Sequence, residues 1–307
     1  MQRDQAGGMQ RDQASAMQRV RASSPDFVRP GMDPADSSVA GAGAGQGQAR
    51  AAGAGTGRTL IKFCGMVRPE DGVLAASLGV DFVGLVLYAA SPRALDLGEA
   101  AALRRRLPAH LGVVGLFVNA HPLQVHAARV RIGLDRVQFH GDETPQQCLH
   151  SVAGGPVSGS AGGSAGGSAG GLADGSEEKG NARWWRALRM RDAATLPRAQ
   201  RDFPACEAFL VDSFAAPHAP SVPALYGGTG KRFDWGLLPA PAERPARLVL
   251  SGGLAVENVA DAVLAIGPWA VDVSSGIQGS DPRGKDAGKM EAFVAAVRAA
   301  DQVRRHG

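Results

Sequence analysis

The sequence predicts a single α/β domain, a (β/α)8 TIM barrel, with a disordered N-terminal extension and a glycine-rich insertion between the fourth helix and the fifth strand. Three observations carry that expectation. Of 42 glycines, ten lie in residues 1–57 and eleven in 153–180. Setting both stretches aside leaves about 222 residues of ordinary composition, within the ~200–250 that one barrel occupies. From Thr59 onward, eight short β-rich runs alternate with helical patterns, as a parallel sheet requires. Finally, small, polar and ionisable residues gather just after those runs, where a barrel carries its active-site loops.

Residues 1–57 open with Met1-Gln2-Arg3-Asp4-Gln5-Ala6, which recurs at Met9–Ala14 and in degraded form at Met17–Ala22. The period is too short and too polar for a solenoid unit. The Ala-, Gly-, Ser- and Pro-rich remainder lacks the apolar content to offset the entropy of ordering. The barrel domain is expected over 58–307. Its strands are expected at Thr59–Cys64, Phe82–Tyr88, Val113–Val118, Arg136–His140, Trp185–Met190, Ala208–Asp212, Leu248–Leu250 and Ala270–Val273. Helices are expected at Pro69–Leu78, Leu97–Leu107, Pro122–Ile132, Thr144–Val152, Ala193–Phe203, Val256–Ile266 and Met290–Asp301. Pro69, with Glu70 and Asp71 behind it, and Pro122 are opening-turn signals. The sixth crossover offers only Phe233–Leu238 as a helical stretch. Residues 153–181 carry Gly-Ser-Ala repeats and read as a flexible linker. It leaves the face opposite the active-site loops, where added length costs little.

Composition removes several classes of function. The longest apolar run, Phe82 to Ala90, falls well short of the ~20 residues of a membrane span. Residues 1–30 hold no apolar core of a signal peptide. The net charge of +4 is dispersed, with no basic stripe or aromatic platform for nucleic acid. Cys64, Cys148 and Cys206 are widely spaced and include no C-x-x-C pair, which argues against a disulfide framework or zinc site and for a cytoplasmic location.

The strand ends concentrate the candidate chemistry. Gly252-Gly253 after the seventh strand and Ser274-Ser275-Gly276 after the eighth put small residues where backbone N–H groups can approach an anion, so a phosphate site is expected there. Cys64 ends the first strand directly before Gly65, with Lys62 two residues earlier. A free cysteine usually only packs, yet this position suits a catalytic thiol. Asp212 closes the apolar run Phe209-Leu210-Val211, where burial would raise its pKa into the range of a general acid; a capping aspartate is the plainer alternative. Arg93 has the fork to grip a carboxylate. His140 is the one histidine at a strand end, beside Gln138. Cys148 and Cys206 fall in or beside helices and read as packing residues.

In combination these motifs resemble the phosphoribosylanthranilate isomerase family of tryptophan biosynthesis. They are Lys62-Phe63-Cys64-Gly65, Ser91-Pro92-Arg93, Val137 to Gly141, Val211-Asp212-Ser213, Gly227 to Trp235, Gly252-Gly253-Leu254, Val271 to Gly276 and Gly284-Lys285-Asp286. The likeness spans about Thr59 to Asp301. It implies a cofactor-free, metal-free Amadori rearrangement of a phosphosugar, with Asp212 as general acid and Cys64 as general base. It further implies Arg93, Gln138, His140 and Lys62 as substrate contacts, and Gly252, Gly253, Ser274, Ser275 and Gly276 as the phosphate site. No nucleic-acid or membrane partner is implied, and the chain would be a monomer or a homodimer. Two positions depart from the family: Ser251 stands where alanine is usual, and Gln278 where glutamate is usual. A pentose-phosphate epimerase would require metal-binding histidines and aspartates at the strand ends. An indole-glycerol-phosphate synthase would require a catalytic lysine from among Lys62, Lys231, Lys285 and Lys289. A silent phosphosugar-binding scaffold would have no need of both Cys64 and Asp212.

Overall fold

The computed structural model describes residues 57–153, 183–213 and 234–306. The expected extension, most of the insertion and Gly227 to Phe233 lie outside these residues. Eight parallel strands close into a barrel in sequence order. They are β1 (Leu60–Cys64), β2 (Phe82–Val86), β3 (Gly112–Phe117), β4 (Arg136–Phe139), β5 (Trp184–Met190), β6 (Ala208–Ser213), β7 (Leu248–Leu250) and β8 (Ala270–Val273). The helices are α1 (Pro69–Ser77), α2 (Leu97–Arg106), α3 (Pro122–Ile132), α4 (Pro145–Val152), α5 (Thr195–Asp202), α6 (Val259–Ile266) and α7 (Ala287–His306).

Strand alternation divides each strand's residues between two cores. One set, including Ile61, Phe63, Val83, Leu85, Val137, Phe139 and Val211, packs outward under the helices. The other fills the lumen with Leu60, Phe82, Val114, Trp185, Leu210, Val249 and Ala270. Phe82 and Trp185 meet edge-to-face at 5.2 Å, and Trp269 stands 5.8 Å from Trp185. Beneath them Glu207 accepts hydrogen bonds from Arg136 Nε at 2.9 Å and Trp185 Nε1 at 3.0 Å. The lower lumen is therefore packed, and only its upper end can receive a small molecule.

Local signals set most helix boundaries. Asp96 with Glu99, and Thr144 with Gln147, form reciprocal capping boxes at α2 and α4, each satisfying two otherwise orphaned N–H groups. Thr144 is thus the cap of α4 and not its first residue. α6 starts at Val259, later than Val256, because Asn258 Oδ1 accepts from Ala255 N and holds the preceding residues in a turn. The described part of the sixth crossover, from Asp234, carries two 3₁₀ turns, Trp235–Leu237 and Pro241–Glu243; Pro239, Pro241 and Pro245 prevent a longer helix there. The second strand stops at Val86, short of Tyr88, because Leu95 N turns back onto Val86 O. α7 runs past Asp301 to His306. Among the described residues no helix is long and apolar enough to cross a membrane.

α7 also fastens the first strand. Asp301, 1 % exposed, accepts from Thr59 N at 2.9 and 3.0 Å and from Thr59 Oγ1 at 2.7 Å. Arg298 donates to Asp301 and to Thr59 O. Asp301→Ala leaves two buried donors, Thr59 N and Thr59 Oγ1, facing a void. It is expected to cost about 3 kcal/mol of folding free energy, read as a lowered urea midpoint at unchanged slope; an unmoved midpoint would show the clasp to be redundant.

Candidate active site

The upper end of the lumen opens into a small cavity of ≈ 60 Å³. Cys64, Arg93, Gln138, His140, Asp212, Ser251, Asp272 and Ser274 contribute to its wall. Parity explains the gathering: each of Cys64, Gln138, Asp212 and Asp272 shares its strand face with the lumen residues below it. The described residues of the cavity come from seven different strands or the loops that follow them.

On β1, Lys62 lies one layer deeper than Cys64. It is wholly buried and its Nζ donates to Asp272 Oδ1 at 2.7 Å, its direct neighbour across the β1–β8 pairing. Burial opposes its charge, but the Asp272 carboxylate and the Cys64 thiol outweigh that and hold Lys62 above the ordinary lysine value. It does not line the cavity. Lys62, expected as a substrate contact, is placed beneath the thiol, because two residues back along a strand is one layer down. Opposite, Gly84 pairs with Cys64. A Cβ there would stand 2.8 Å from Cys64 Sγ and 3.1 Å from Lys62 Nζ, so only glycine leaves room for both.

A second lysine reaches the same place from the loop before α7. Lys285 is buried, and its Nζ donates to Cys64 O at 2.7 Å and Ser274 O at 3.0 Å. Burial brings it down to about 8, with Arg93 acting the same way against Cys64, Asp272 and Asp71. Ser274 Oγ donates to Cys64 O as well, at 3.0 Å. The end of β1 is thereby fixed by two groups brought in with β8 and its following loop.

Asp212 ends up 4 % exposed. Its Oδ1 accepts from Ser213 N at 2.7 Å, and its Oδ2 lies 3.6 Å from His140 Nε2. Burial pushes the carboxyl up to about 6, and Asp272 adds to the shift against Ser213 and Lys62. Gly252, at φ +80°, turns β7 directly over it; a Cβ there would lie 2.6 Å from Ser213 N and 2.9 Å from Asp212 Oδ1. His140 is held down to about 3 by burial, then by Lys62, Arg189 and Arg186. Between pH 3 and 6 both groups are neutral, so their contact is not an ion pair.

Arg93 extends across the loop after β1, with Nη1 donating to Gln278 Oε1 at 3.0 Å. Arg93 Nε is buried without a partner among the described residues. The two glycine- and serine-rich turns lie side by side, joined by a bridge between Ala255 and Gly276, and Asn258 Nδ2 ties down Gly253 O at 2.9 Å. Gly253, Ser275 and Gly276 are partly exposed in these turns.

Sequence reasoning missed a polar network that shapes the loops after β3 and β4. Glu143 accepts from Asn119 N, Gly141 N and Arg186 Nη1, the last at 2.6 Å. Asn119 takes φ 50° to make its contact, and its Oδ1 receives Asp142 N at 2.7 Å. The other two thiols are elsewhere: burial pushes Cys148 and Cys206 each up to about 12, which keeps them inert at neutral pH.

The sequence profile described as "N-(5'phosphoribosyl)anthranilate (PRA) isomerase" matches residues 61–157 and 176–296. An N-(5'-phosphoribosyl)anthranilate isomerase of Methylibium petroleiphilum is 42% identical over 244 residues, 80% of this chain and 96% of the relative. The crystal structure of phosphoribosyl anthranilate isomerase from Thermotoga maritima superposes with a TM-score of 0.61 at 29% identity, over 78% of this chain and 99% of that one. Another isomerase structure, in complex with reduced 1-(o-carboxyphenylamino)-1-deoxyribulose 5-phosphate, has a TM-score of 0.58 at 25% identity, over 78% of this chain and 99% of that one.

Proposed function

Because the chain belongs to the N-(5'-phosphoribosyl)anthranilate isomerase family, we propose a division of labour for the reaction it carries out in tryptophan biosynthesis. That reaction is the Amadori rearrangement of N-(5-phosphoribosyl)anthranilate to 1-(2-carboxyphenylamino)-1-deoxyribulose 5-phosphate. Asp212, entering as the carboxylic acid, gives its proton to the furanose ring oxygen. The anilino nitrogen pushes in its lone pair, the C1′–O bond breaks, and a Schiff base forms. Cys64, as thiolate, removes the C2′ proton; those electrons neutralise the iminium and leave an enolamine. Loss of the C2′ hydroxyl proton and protonation at C1′ then give the ketose.

One observation carries this assignment: an aspartic acid held near 6 and a free thiol line the same cavity. Lys62 Nζ, paired with Asp272, and Lys285 Nζ, on the Cys64 carbonyl, stand beneath and beside that thiol. Arg93, whose Nε has no partner among the described residues, takes the anthranilate carboxylate. The adjoining turns at Gly252-Gly253 and Ser274-Ser275-Gly276 take the phosphate, the arrangement common in barrels after strands seven and eight. The test is to generate phosphoribosylanthranilate in situ and follow loss of its fluorescence, with wild-type protein and with variants at Cys64 and Asp212. Wild-type rates from either variant would overturn the assignment.

The phosphate site has its own test. Inorganic phosphate is expected to compete with substrate, and Gly253→Asp is expected to abolish that competition and raise KM about a hundredfold, because a carboxylate would oppose the phosphate dianion at close range. An unchanged KM would move the phosphate to other loops.

A further inference from the structure

His140 and Gln138 line the cavity, and each carries a buried polar atom with no partner among the described residues: His140 Nε2 and Gln138 Oε1. Their remaining polar atoms meet each other, Gln138 Nε2 with His140 Nδ1 at 3.1 Å. With the Gln138 amide turned this way its NH₂ donates, His140 Nδ1 accepts, and the ring proton sits on Nε2. That N–H faces Asp212 Oδ2 at 3.6 Å. On the other side of the carboxyl, Oδ1 already accepts Ser213 N at 2.7 Å. An oxygen receiving a short N–H bond is the poorer site for the acidic proton, so the proton belongs on Oδ2, the oxygen turned toward His140.

We propose that His140, set in its Nε2–H tautomer by Gln138, is a positioning residue for the acid Asp212: it receives the negative charge left on Oδ2 when the proton departs. This rests on the reading of Asp212 as the general acid. Before transfer, Oδ2 is a neutral hydroxyl oxygen and the 3.6 Å contact is weak. After transfer Oδ2 is anionic, and a shift of the ring by a few tenths of an ångström makes a charge-assisted hydrogen bond. The bond is stronger once charge has developed than before, which is the condition for it to aid the reaction. No proton leaves His140; the ring stays neutral throughout, consistent with its strong resistance to protonation.

The neighbours support this role and do not supply it themselves. Lys62 on β1 is committed to Asp272 on β8, and Asp272 is itself an anion that opposes charge on Asp212. Cys64 on β1 becomes a second anion when it acts as base. Arg186 on β5 is committed to Glu143 and Gly141 O, and Arg189 on β5 to Asp142. His140 Nε2 is thus the described side-chain donor aimed at Oδ2.

Three variants and the pH profile test the proposal. His140→Leu is expected to lower kcat about ten- to a hundredfold, the worth of a hydrogen bond to a charged group, with KM within a factor of about two. It should also move the alkaline limb of kcat/KM to higher pH, since a donor that stabilises the carboxylate has gone. His140→Gln, which can return an N–H near the Nε2 position, should recover most of the loss. Gln138→Glu accepts from Nδ1 and turns the lone pair of Nε2 toward Asp212, so it should lower kcat like His140→Leu. Ring ¹⁵N shifts of wild-type protein should show His140 protonated at Nε2 and bare at Nδ1, with the order reversed in Gln138→Glu; this reading holds whether or not the variants turn over. Protonation at Nδ1 in the wild type would overturn the proposal. So would a His140→Leu variant with raised KM and an unmoved alkaline limb, which would place the imidazole on the substrate instead. Undiminished activity of Asp212→Asn would instead refute the underlying reading of the acid.

Discussion

Cys64→Ser is expected to lower kcat by about 10²–10⁴, the usual worth of a general acid–base group, with KM nearly unchanged. Serine preserves size and polarity in a pocket where Cys64 is only 6 % exposed, so packing cannot account for a loss of that size. The difference is chemical: a hydroxyl is a far weaker acid than a thiol, and little of its anion exists at neutral pH to take a proton from carbon. Lys62 and Lys285 would remain in place and could not restore the base. Cys148→Ser and Cys206→Ser are the controls and should leave turnover intact, since the buried Cys148 and the half-buried Cys206 pack outside the cavity. Peptide mapping after iodoacetamide treatment gives the decisive case: full alkylation of Cys64 with activity retained would remove the thiol from the mechanism.

Asp212→Asn is expected to lose activity on the same scale, about 10²–10⁴, and yet to be more stable than the wild type. The amide keeps the oxygen that accepts Ser213 N, so the site should hold its shape. Below about pH 4 the wild-type carboxyl is protonated in both the folded and the unfolded chain, and the two proteins should unfold alike. As pH rises, the unfolded chain ionises first, because folding has raised the carboxyl to about 6. The wild type therefore loses stability from about pH 4 to 6 and the asparagine variant does not. The shift from 3.8 to about 6 corresponds to about 3 kcal/mol in favour of the variant at and above neutral pH. Urea titrations at several pH values measure it; an advantage that is absent at pH 7, or greatest at pH 4, would contradict a buried, proton-holding carboxyl. The same ionisation should make wild-type kcat/KM fall above about pH 6.

The barrel and the places of Cys64, Asp212 and His140 were legible in the sequence because they depend on short-range rules. A strand alternates its faces, a barrel puts chemistry after its strands, and a cysteine or aspartate closing an apolar run therefore points into the mouth. The depth of Lys62, one layer below Cys64, was not legible, since a strand-end motif does not show how deep the cavity reaches. Lys285 was legible only as part of the Gly284-Lys285-Asp286 motif; its contact was not, because it lies 221 residues from the carbonyl it holds. Glu143 was visible only as one of several polar residues after β4; its partners Asn119 and Arg186 come from other strands. Gly84 had no local signal at all, since its need for emptiness comes from two side chains on the neighbouring strand. The sixth crossover was legible as weak, and its prolines give the reason.

The thiol's surroundings are assembled from the two extremes of the barrel. The groups that define them are Asp272 on Lys62, and Ser274 and Lys285 on the Cys64 carbonyl, and all arrive with the last strand and the loop behind it. Until β8 pairs with β1, no intermediate, however many strands it has formed, can hold the lysine–aspartate pair or the fixed end of β1. Contacts of such long sequence separation are among the slowest to form. In a refolding experiment, turnover should therefore return with the final seam and not with the bulk of the secondary structure, making activity a direct clock for closure of the ring.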